Sequence, residues 1–196
     1  MHDKKIIIFD FDQTLVETSK RHYMVYRILS EKYKLRLLDY ETYWSKRKQG
    51  FSNSEVMKEQ GLHNLYNSDY EWKNLIEQNE YLKFDEPYEY SKKYLEQLSA
   101  KYRLWLVSLR SKENSLFEEL KWLRWKKYFK KIMQIKHSKD NVKSKVERVK
   151  KALDSSDSIV AWIGDGIIDQ KAAENLRVNY IDIKDSEFKR KIEKLL

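Results

Sequence analysis

The chain has 196 residues, with 40 Lys and Arg against 31 Asp and Glu and a formal net charge of +9. Hydrophobic residues make up 41% of the chain and aromatic residues 14%, which predicts a folded protein despite the many charges. The absence of cysteine excludes disulfides, thiolate zinc sites and a cysteine nucleophile. No apolar run is long enough to cross a membrane, and no secretory apolar segment is present, so we expect a cytoplasmic protein.

The first chemical signal is an apolar run at 6–9 followed at once by Asp10 and Asp12. An unbroken β-branched and aromatic run is typical of a strand buried on both faces of a parallel sheet. The two carboxylates then fall at the carboxyl edge, where open α/β sheets bind ligands. Because like charges repel, the pair predicts a hard cation nearby. The alternative is a pair of turn carboxylates with Thr14 as a helix cap.

Further along the chain, four more strand patterns occur, at 103–107, 132–135, 158–163 and 180–183. The strand at 103–107 ends in Ser108, and Arg110 follows in the loop. The strand at 158–163 runs directly into Gly164 and Asp165, with Asp169 four residues on. These two acids can reach the same cation site as the first aspartates.

The segments FDFDQTLVE and IGDGIID resemble the first and fourth motifs of the haloacid dehalogenase superfamily, specifically its magnesium-dependent phosphatases related to phosphoglycolate phosphatase and beta-phosphoglucomutase. LVSLRS resembles the second motif. The resemblance implies an α/β fold with a Rossmann-like three-layer core and a five-stranded, mainly parallel sheet. It also implies that residues 1–15 and 85–196 form this core, and that 16–84 form an α-helical cap.

The resemblance assigns roles to the motif residues. Asp10 would attack phosphorus and form an aspartyl-phosphate, Asp12 would transfer protons, and Ser108 would hold the phosphoryl group. Mg²⁺ would be held by Asp10, the Asp12 backbone carbonyl and Asp165, with Asp169 beside it or bound through water. Thr14 and Arg110 are placed with the substrate-binding residues, although the sequence favours an exposed loop arginine as the interpretation of Arg110.

The third motif is a lysine at a helix start, and the sequence offers Lys136, Lys139, Lys143 and Lys145. Ser144 followed by Glu147 has the spacing of a capping box, which predicts a helix beginning there. Lys143 would then lie beside the anion-attracting helix end. It is the first choice, followed by Lys145 and then Lys139.

Substrate contacts are expected in the cap loop that follows a basic cluster, and its residues are Arg47, Lys48, Gly50, Ser52 and Asn53. The alternative is a plain connection between helices, in which Ser52 or Ser54 caps the second helix. Beta-phosphoglucomutase-like proteins usually have arginine where this chain has Asn53, which counts against a mutase. Gln13 stands where many phosphatases have glycine.

The leading functional hypothesis is therefore a magnesium-dependent phosphatase of small phosphate monoesters. A second is a phosphomutase that passes the phosphoryl group to a sugar. The non-enzymatic alternative is a basic protein that binds nucleic acid or an acidic partner, as the +9 charge favours anionic ligands. No recognised nucleic-acid-binding motif supports that alternative, and the sequence does not indicate an oligomeric state.

Overall fold

A computed structural model describes residues 5–63 and 65–196, with the backbone alone at 65 and 66. The chain divides into two compact units. One unit comprises the N-terminal segment up to Glu17 together with Pro87–Leu196, and the other comprises Thr18–Glu86. None of the described helices is long and apolar enough to cross a membrane.

The strands are β1 (Lys5–Phe9), β2 (Val16–Glu17), β3 (Glu86–Pro87), β4 (Arg103–Leu109), β5 (Phe129–Ile135), β6 (Ser158–Gly164) and β7 (Asn179–Asp182). Five of them form one sheet in the order β5-β4-β1-β6-β7, and β2 pairs with β3. All pairings in the larger sheet are parallel. The predicted five-stranded α/β core is confirmed, although β5 begins at Phe129 rather than at Ile132.

The helices of the first unit are α6 (Ser91–Ser99), α7 (Ser115–Trp122), α8 (Asn141–Ala152), α9 (Ile167–Leu176) and α10 (Phe188–Glu193). Those of the second unit are α1 (Ser19–Lys32), α2 (Tyr40–Lys48), α3 (Asn53–Glu59), α4 (Leu65–Leu75) and α5 (Asn79–Leu82). A short 3-10 turn at Lys126–Tyr128 leads into β5.

The apolar run of β1 is buried because its side chains alternate between the two faces of the sheet. Ile7 and Phe9 belong to one hydrophobic cluster, and Ile6 and Ile8 belong to another. Helices α8 and α9 contribute to the second cluster, which also contains Trp162. The central strand is thus covered on both faces, which explains why its sequence shows no polar alternation.

The helical unit has its own hydrophobic core, in which aliphatic and aromatic side chains pack together. Tyr26 and Tyr43 are fully buried, and their rings stack with centroids 4.4 Å apart. Near the two ends of this segment, Arg21 and Asp85 form a buried ion pair with a 3.1 Å separation. This pair links the beginning of the unit to its end.

Candidate active site

The register of the parallel sheet brings the motif residues to one edge. Phe9, the last residue of β1, lies opposite Leu106 on one side and Ile163 on the other. The Asp10 backbone N–H donates to the Ile163 carbonyl over 2.9 Å. Asp10 therefore emerges between the carboxyl ends of β4 and β6, the strands that carry Ser108 and lead into the fourth motif.

Three carboxylates converge at this edge. Asp10, Asp165 and Asp169 each offer an oxygen within 4.8 Å of the others. Lys145 bridges two of them, donating from Nζ to Asp10 Oδ1 over 2.7 Å and to Asp169 Oδ1 over 2.8 Å. The Trp162 indole N–H donates to the same Asp169 oxygen over 2.9 Å. Asp169 is thereby fixed from two sides.

The acidic cluster carries more negative charge than its nearest lysine balances. Burial raises the pKa of Asp10 well above its ordinary value, and Asp169 and Asp165 add to this against the opposing effect of Lys145. Burial also raises the pKa of Asp165, opposed by Lys184. Lys184 Nζ donates to the Asp165 carboxylate over 3.0 Å. A hard divalent cation would relieve this repulsion, and clustered carboxylate oxygens are its preferred ligands.

Lys145, rather than Lys143, contacts the Asp10 carboxylate. Helix α8 begins at Asn141, and its N-cap is Asp140, which accepts from the Lys143 N–H. The predicted start at Ser144 is therefore wrong. In the observed helix, the Lys143 side chain is 68% exposed, and its Nζ lies 3.9 Å from Glu147 Oε1. Lys145 lies on the buried face beside Val146 and Val149.

The remaining lysine candidates, Lys136 and Lys139, are exposed in the segment before α8.

The two carboxylates that Lys145 contacts keep its side chain protonated. Burial lowers its pKa, but Asp10 and Asp169 outweigh this effect and raise the pKa above its ordinary value. It is therefore a cation held in place beside the expected nucleophile.

Asp12 is not part of the acidic cluster formed by the described residues. Its carboxylate accepts two hydrogen bonds from Arg110, from Nε over 2.8 Å and from Nη2 over 2.6 Å. Arg110 is 1% exposed, so the interpretation as an exposed loop arginine is wrong. The same Nη2 donates to Glu119 Oε2 over 2.8 Å. Glu119 lies on α7, and no local sequence signal marks it as Arg110's partner.

The turn after β1 is tight. Gln13 adopts a left-handed conformation with φ of 57°, which glycine would adopt without strain. Its amide group accepts from the Tyr88 hydroxyl over 3.0 Å. Thr14 is fully buried, and its Oγ1 has no hydrogen-bond partner among the described residues. Ser108 is 1% exposed at the end of β4.

The residues expected to contact substrate in the helical unit lie at the junction of α2 and α3. Of the two serines that the sequence offered as helix caps, Ser52 is the N-cap of α3, and it forms a capping box with Glu55. Asn53 is buried and donates to Met57 Sδ. Arg47 donates to the Phe51 carbonyl over 2.8 Å. These three residues therefore have structural roles.

In the same junction, Lys48 and Gly50 are exposed. The φ of Gly50 is +96°, a conformation that favours glycine. The backbone turn thus explains this glycine without reference to a ligand.

Gly164 and Gly166 provide a matched test of the cluster. A Cβ on Gly164 would lie 2.7 Å from the Asp169 Cβ, whereas a Cβ on Gly166 would meet nothing within 4 Å. We expect Gly164→Ala to displace Asp169 and destabilise the protein by about 1–3 kcal/mol, because overpacking costs this much. Gly166→Ala should change the free energy of unfolding by less than about 0.5 kcal/mol. Urea unfolding would measure both, and equal effects would contradict this geometry.

Solved structures with the same fold include three hydrolases at low sequence identity. A haloacid dehalogenase-like family hydrolase from Streptococcus pneumoniae superposes with a TM-score of 0.72 at 16% identity, covering 93% of this chain and 85% of the other. A candidate phosphatase from Clostridium difficile gives 0.74 at 16% identity, with 90% and 83% covered. A candidate haloacid dehalogenase hydrolase from Bacillus subtilis, solved with magnesium bound, gives 0.67 at 15% identity, with 94% and 91% covered.

A comparison with curated protein sequences finds no significant match. A family model described as haloacid dehalogenase-like hydrolase matches residues 7–183. The match includes the last three residues of β1, the acidic cluster, Lys145 and the intervening helical unit. The chain therefore belongs to the haloacid dehalogenase-like hydrolase family.

Proposed function

We propose that this hydrolase is a magnesium-dependent phosphatase that cleaves small phosphate monoesters through an aspartyl-phosphate at Asp10. The observation that carries the proposal is the Asp10 carboxylate, which lies at the end of the central strand with one oxygen bound to Lys145. Asp165 and Asp169 lie within 4.8 Å of it. A carboxylate with an adjacent cation suits nucleophilic attack on phosphorus, which needs positioning and charge neutralisation.

In this mechanism Asp10 attacks the phosphorus in line with the leaving oxygen, and the phosphoryl group is transferred to its carboxylate. Asp12 enters the first step protonated and gives its proton to the departing alkoxide. As a carboxylate it then takes a proton from the water that releases phosphate, and so returns to its starting form. The Lys145 ammonium and the Ser108 hydroxyl donate to phosphoryl oxygens. The covalent intermediate divides one difficult displacement into two easier steps that use the same groups.

The metal would be held by Asp10, Asp165 and Asp169, together with the backbone carbonyl of Asp12. When bound, Mg²⁺ would neutralise phosphoryl charge and orient the group for displacement. The oxygen-only donor set and the raised pKa of Asp10 and Asp165 support a hard cation. The related fold solved with magnesium is consistent with this assignment.

We also propose that the helical unit, Thr18–Glu86, acts as the cap domain of the family and that substrate choice depends on it. Lys48 is the residue of the α2–α3 junction best suited to contact an anion, because it is exposed and basic. Arg47, Ser52 and Asn53 already serve the junction itself.

The first experiment measures phosphate release from sugar phosphates, nucleotides and phosphoglycolate, with and without Mg²⁺. The wild type should be active only with the metal, and Asp10→Asn should lower kcat by at least about 10⁴-fold, because it removes the nucleophile. An amide at this position retains the shape of the side chain, so the variant should fold. Metal-dependent turnover that survives in Asp10→Asn would exclude the aspartyl-phosphate.

Metal binding can be tested without turnover. Mg²⁺ at about 100 times its Kd should stabilise the wild type by about 2.7 kcal/mol, a rise in Tm of about 5–11 °C for a chain of this size. Asp165→Asn should lose most of this rise and be more stable than wild type in EDTA, because it removes a partly buried charge that repels Asp10 and Asp169. The exposed Asp154 provides the matched control, Asp154→Asn, which should respond like the wild type. An undiminished rise in Asp165→Asn would contradict the metal assignment.

Lys143 and Lys145 form a matched pair on one helix. Lys145→Met should lower kcat by about 10²–10³-fold, as expected for removing a preorganised charge at the transition state. Lys143→Met should change kcat by less than about twofold, because its side chain is 68% exposed. Steady-state kinetics at saturating Mg²⁺ would measure both. A larger loss in Lys143→Met would reverse the assignment.

A further inference from the structure

The contact between Asp12 and Arg110 is not used in the proposed reaction. Both Asp12 oxygens are engaged, Oδ2 by Nε over 2.8 Å and Oδ1 by Nη2 over 2.6 Å. This is the parallel two-point pairing that only a guanidinium can make with a carboxylate. It restricts the rotation of the Asp12 carboxylate as well as its position.

Arg110 is itself held rigidly. Its Nη2 donates to Glu119 Oε2 over 2.8 Å, and both side chains are nearly fully buried, at 1% and 3% exposure. Its guanidinium carbon lies over the Phe11 ring, 5.5 Å from the centroid. The backbone also contributes, as the Arg110 N–H donates to the Ile135 carbonyl over 2.9 Å. The guanidinium is thus held by Glu119 of α7 and by Phe11, and the Arg110 backbone is held by β5.

The loop that carries Arg110 is braced in turn. Gln134 on β5 accepts from the Leu116 N–H of α7 over 3.1 Å, and its amide nitrogen donates to the Lys112 carbonyl. Helix α7 is thus anchored to β5, with Glu119 facing Arg110. The Asp12 side chain remains 26% exposed, so one side of the carboxylate stays accessible.

We infer that Arg110, supported by Glu119, is the positioning residue that fixes the Asp12 carboxyl group for proton transfer to the leaving oxygen and from the attacking water. The inference rests on the proposed phosphatase function and adds two residues to it. Proton transfer requires the carboxylate to lie within hydrogen-bond reach of the oxygen it serves. A carboxylate paired through both oxygens to a buried guanidinium meets this requirement before substrate arrives.

The test compares two leaving groups of similar shape, phenol from phenyl phosphate and the less basic p-nitrophenol from p-nitrophenyl phosphate. The less basic group needs little protonation as it leaves, so only phenyl phosphate depends strongly on Asp12. Arg110→Lys keeps the charge but loses the two-point pairing. The comparison uses kcat/KM, which reports the steps up to the aspartyl-phosphate and excludes the later attack of water, where Asp12 acts in the same way for both esters. We expect kcat/KM of Arg110→Lys to fall about 10–100-fold on phenyl phosphate, within the range of proton-transfer catalysis, and less than about threefold on p-nitrophenyl phosphate.

Two further variants separate positioning from general damage to the fold. Glu119→Gln should show the same preference in weaker form and provides the test if Arg110→Lys does not fold. Asp12→Asn combined with Arg110→Lys should be no slower on phenyl phosphate than Asp12→Asn alone, because Arg110 acts through Asp12. The matched control is Arg103→Lys, at the other end of β4, where the arginine pairs with Asp157. It should leave both rates unchanged.

The possible outcomes separate the positioning role of Arg110 from the proposed phosphatase function on which it rests. A wild type that releases no phosphate with Mg²⁺ from any ester would overturn both. Suppose instead that the wild type is active. If Arg110→Lys and Glu119→Gln retain full activity on both esters, or are slowed by the same factor on both, the positioning role alone is overturned. Crystal structures give an independent readout, since an Asp12 carboxylate unmoved in Arg110→Lys would also overturn it.

Discussion

The candidate active site depends on one buried ammonium group. Lys145 Nζ lies 2.7 Å from Asp10 and 2.8 Å from Asp169, and so connects β1, α8 and α9 at a single point. Without it, the carboxylates at this edge would repel one another in a poorly solvated environment. Its contacts with two of them keep the lysine charged. The remaining negative charge makes the site suitable for a divalent cation and a phosphoryl group together.

Sheet topology determines that these residues meet. Because β1 is the central strand of the order β5-β4-β1-β6-β7, its carboxyl end is flanked by the ends of β4 and β6. Residues distant in the chain, such as Asp10 and Asp165, therefore converge only when the parallel sheet has formed. The close approach of Gly164 to Asp169 shows how little space the turn after β6 leaves. Because Gly164 has no side chain, the Asp169 carboxylate of α9 has room to lie in the cluster.

The sequence predicted the strands and the strand-end aspartates, because these features depend on local residue patterns. Buried strands are recognisable from continuous apolar runs, and strand-end aspartates from their position, so the sheet was predictable from segments such as 6–9 and 158–163. The identity of the lysine that contacts Asp10 was not predictable, because Lys143 and Lys145 differ only in helical phase. That phase depends on Asp140 as the N-cap, whereas Ser144 and Glu147 offered an equally regular capping pattern. The partnership of Arg110 with Glu119 has no local signal, because it is formed by the packing of α7 against the sheet.

The two buried cations of this edge, Lys145 and Arg110, each bridge two carboxylates. Such arrangements are poor sources of stability, since apolar side chains of similar volume often stabilise a protein as well or better. Their benefit is geometric, because each cation fixes the orientation of an aspartate after β1. Lys145 orients Asp10, the proposed nucleophile, and Arg110 orients Asp12, the proposed proton donor. The different chemistry of the two cations suits these roles: an ammonium is a compact charge that can also contact a phosphoryl oxygen, whereas a guanidinium holds a carboxylate in one plane.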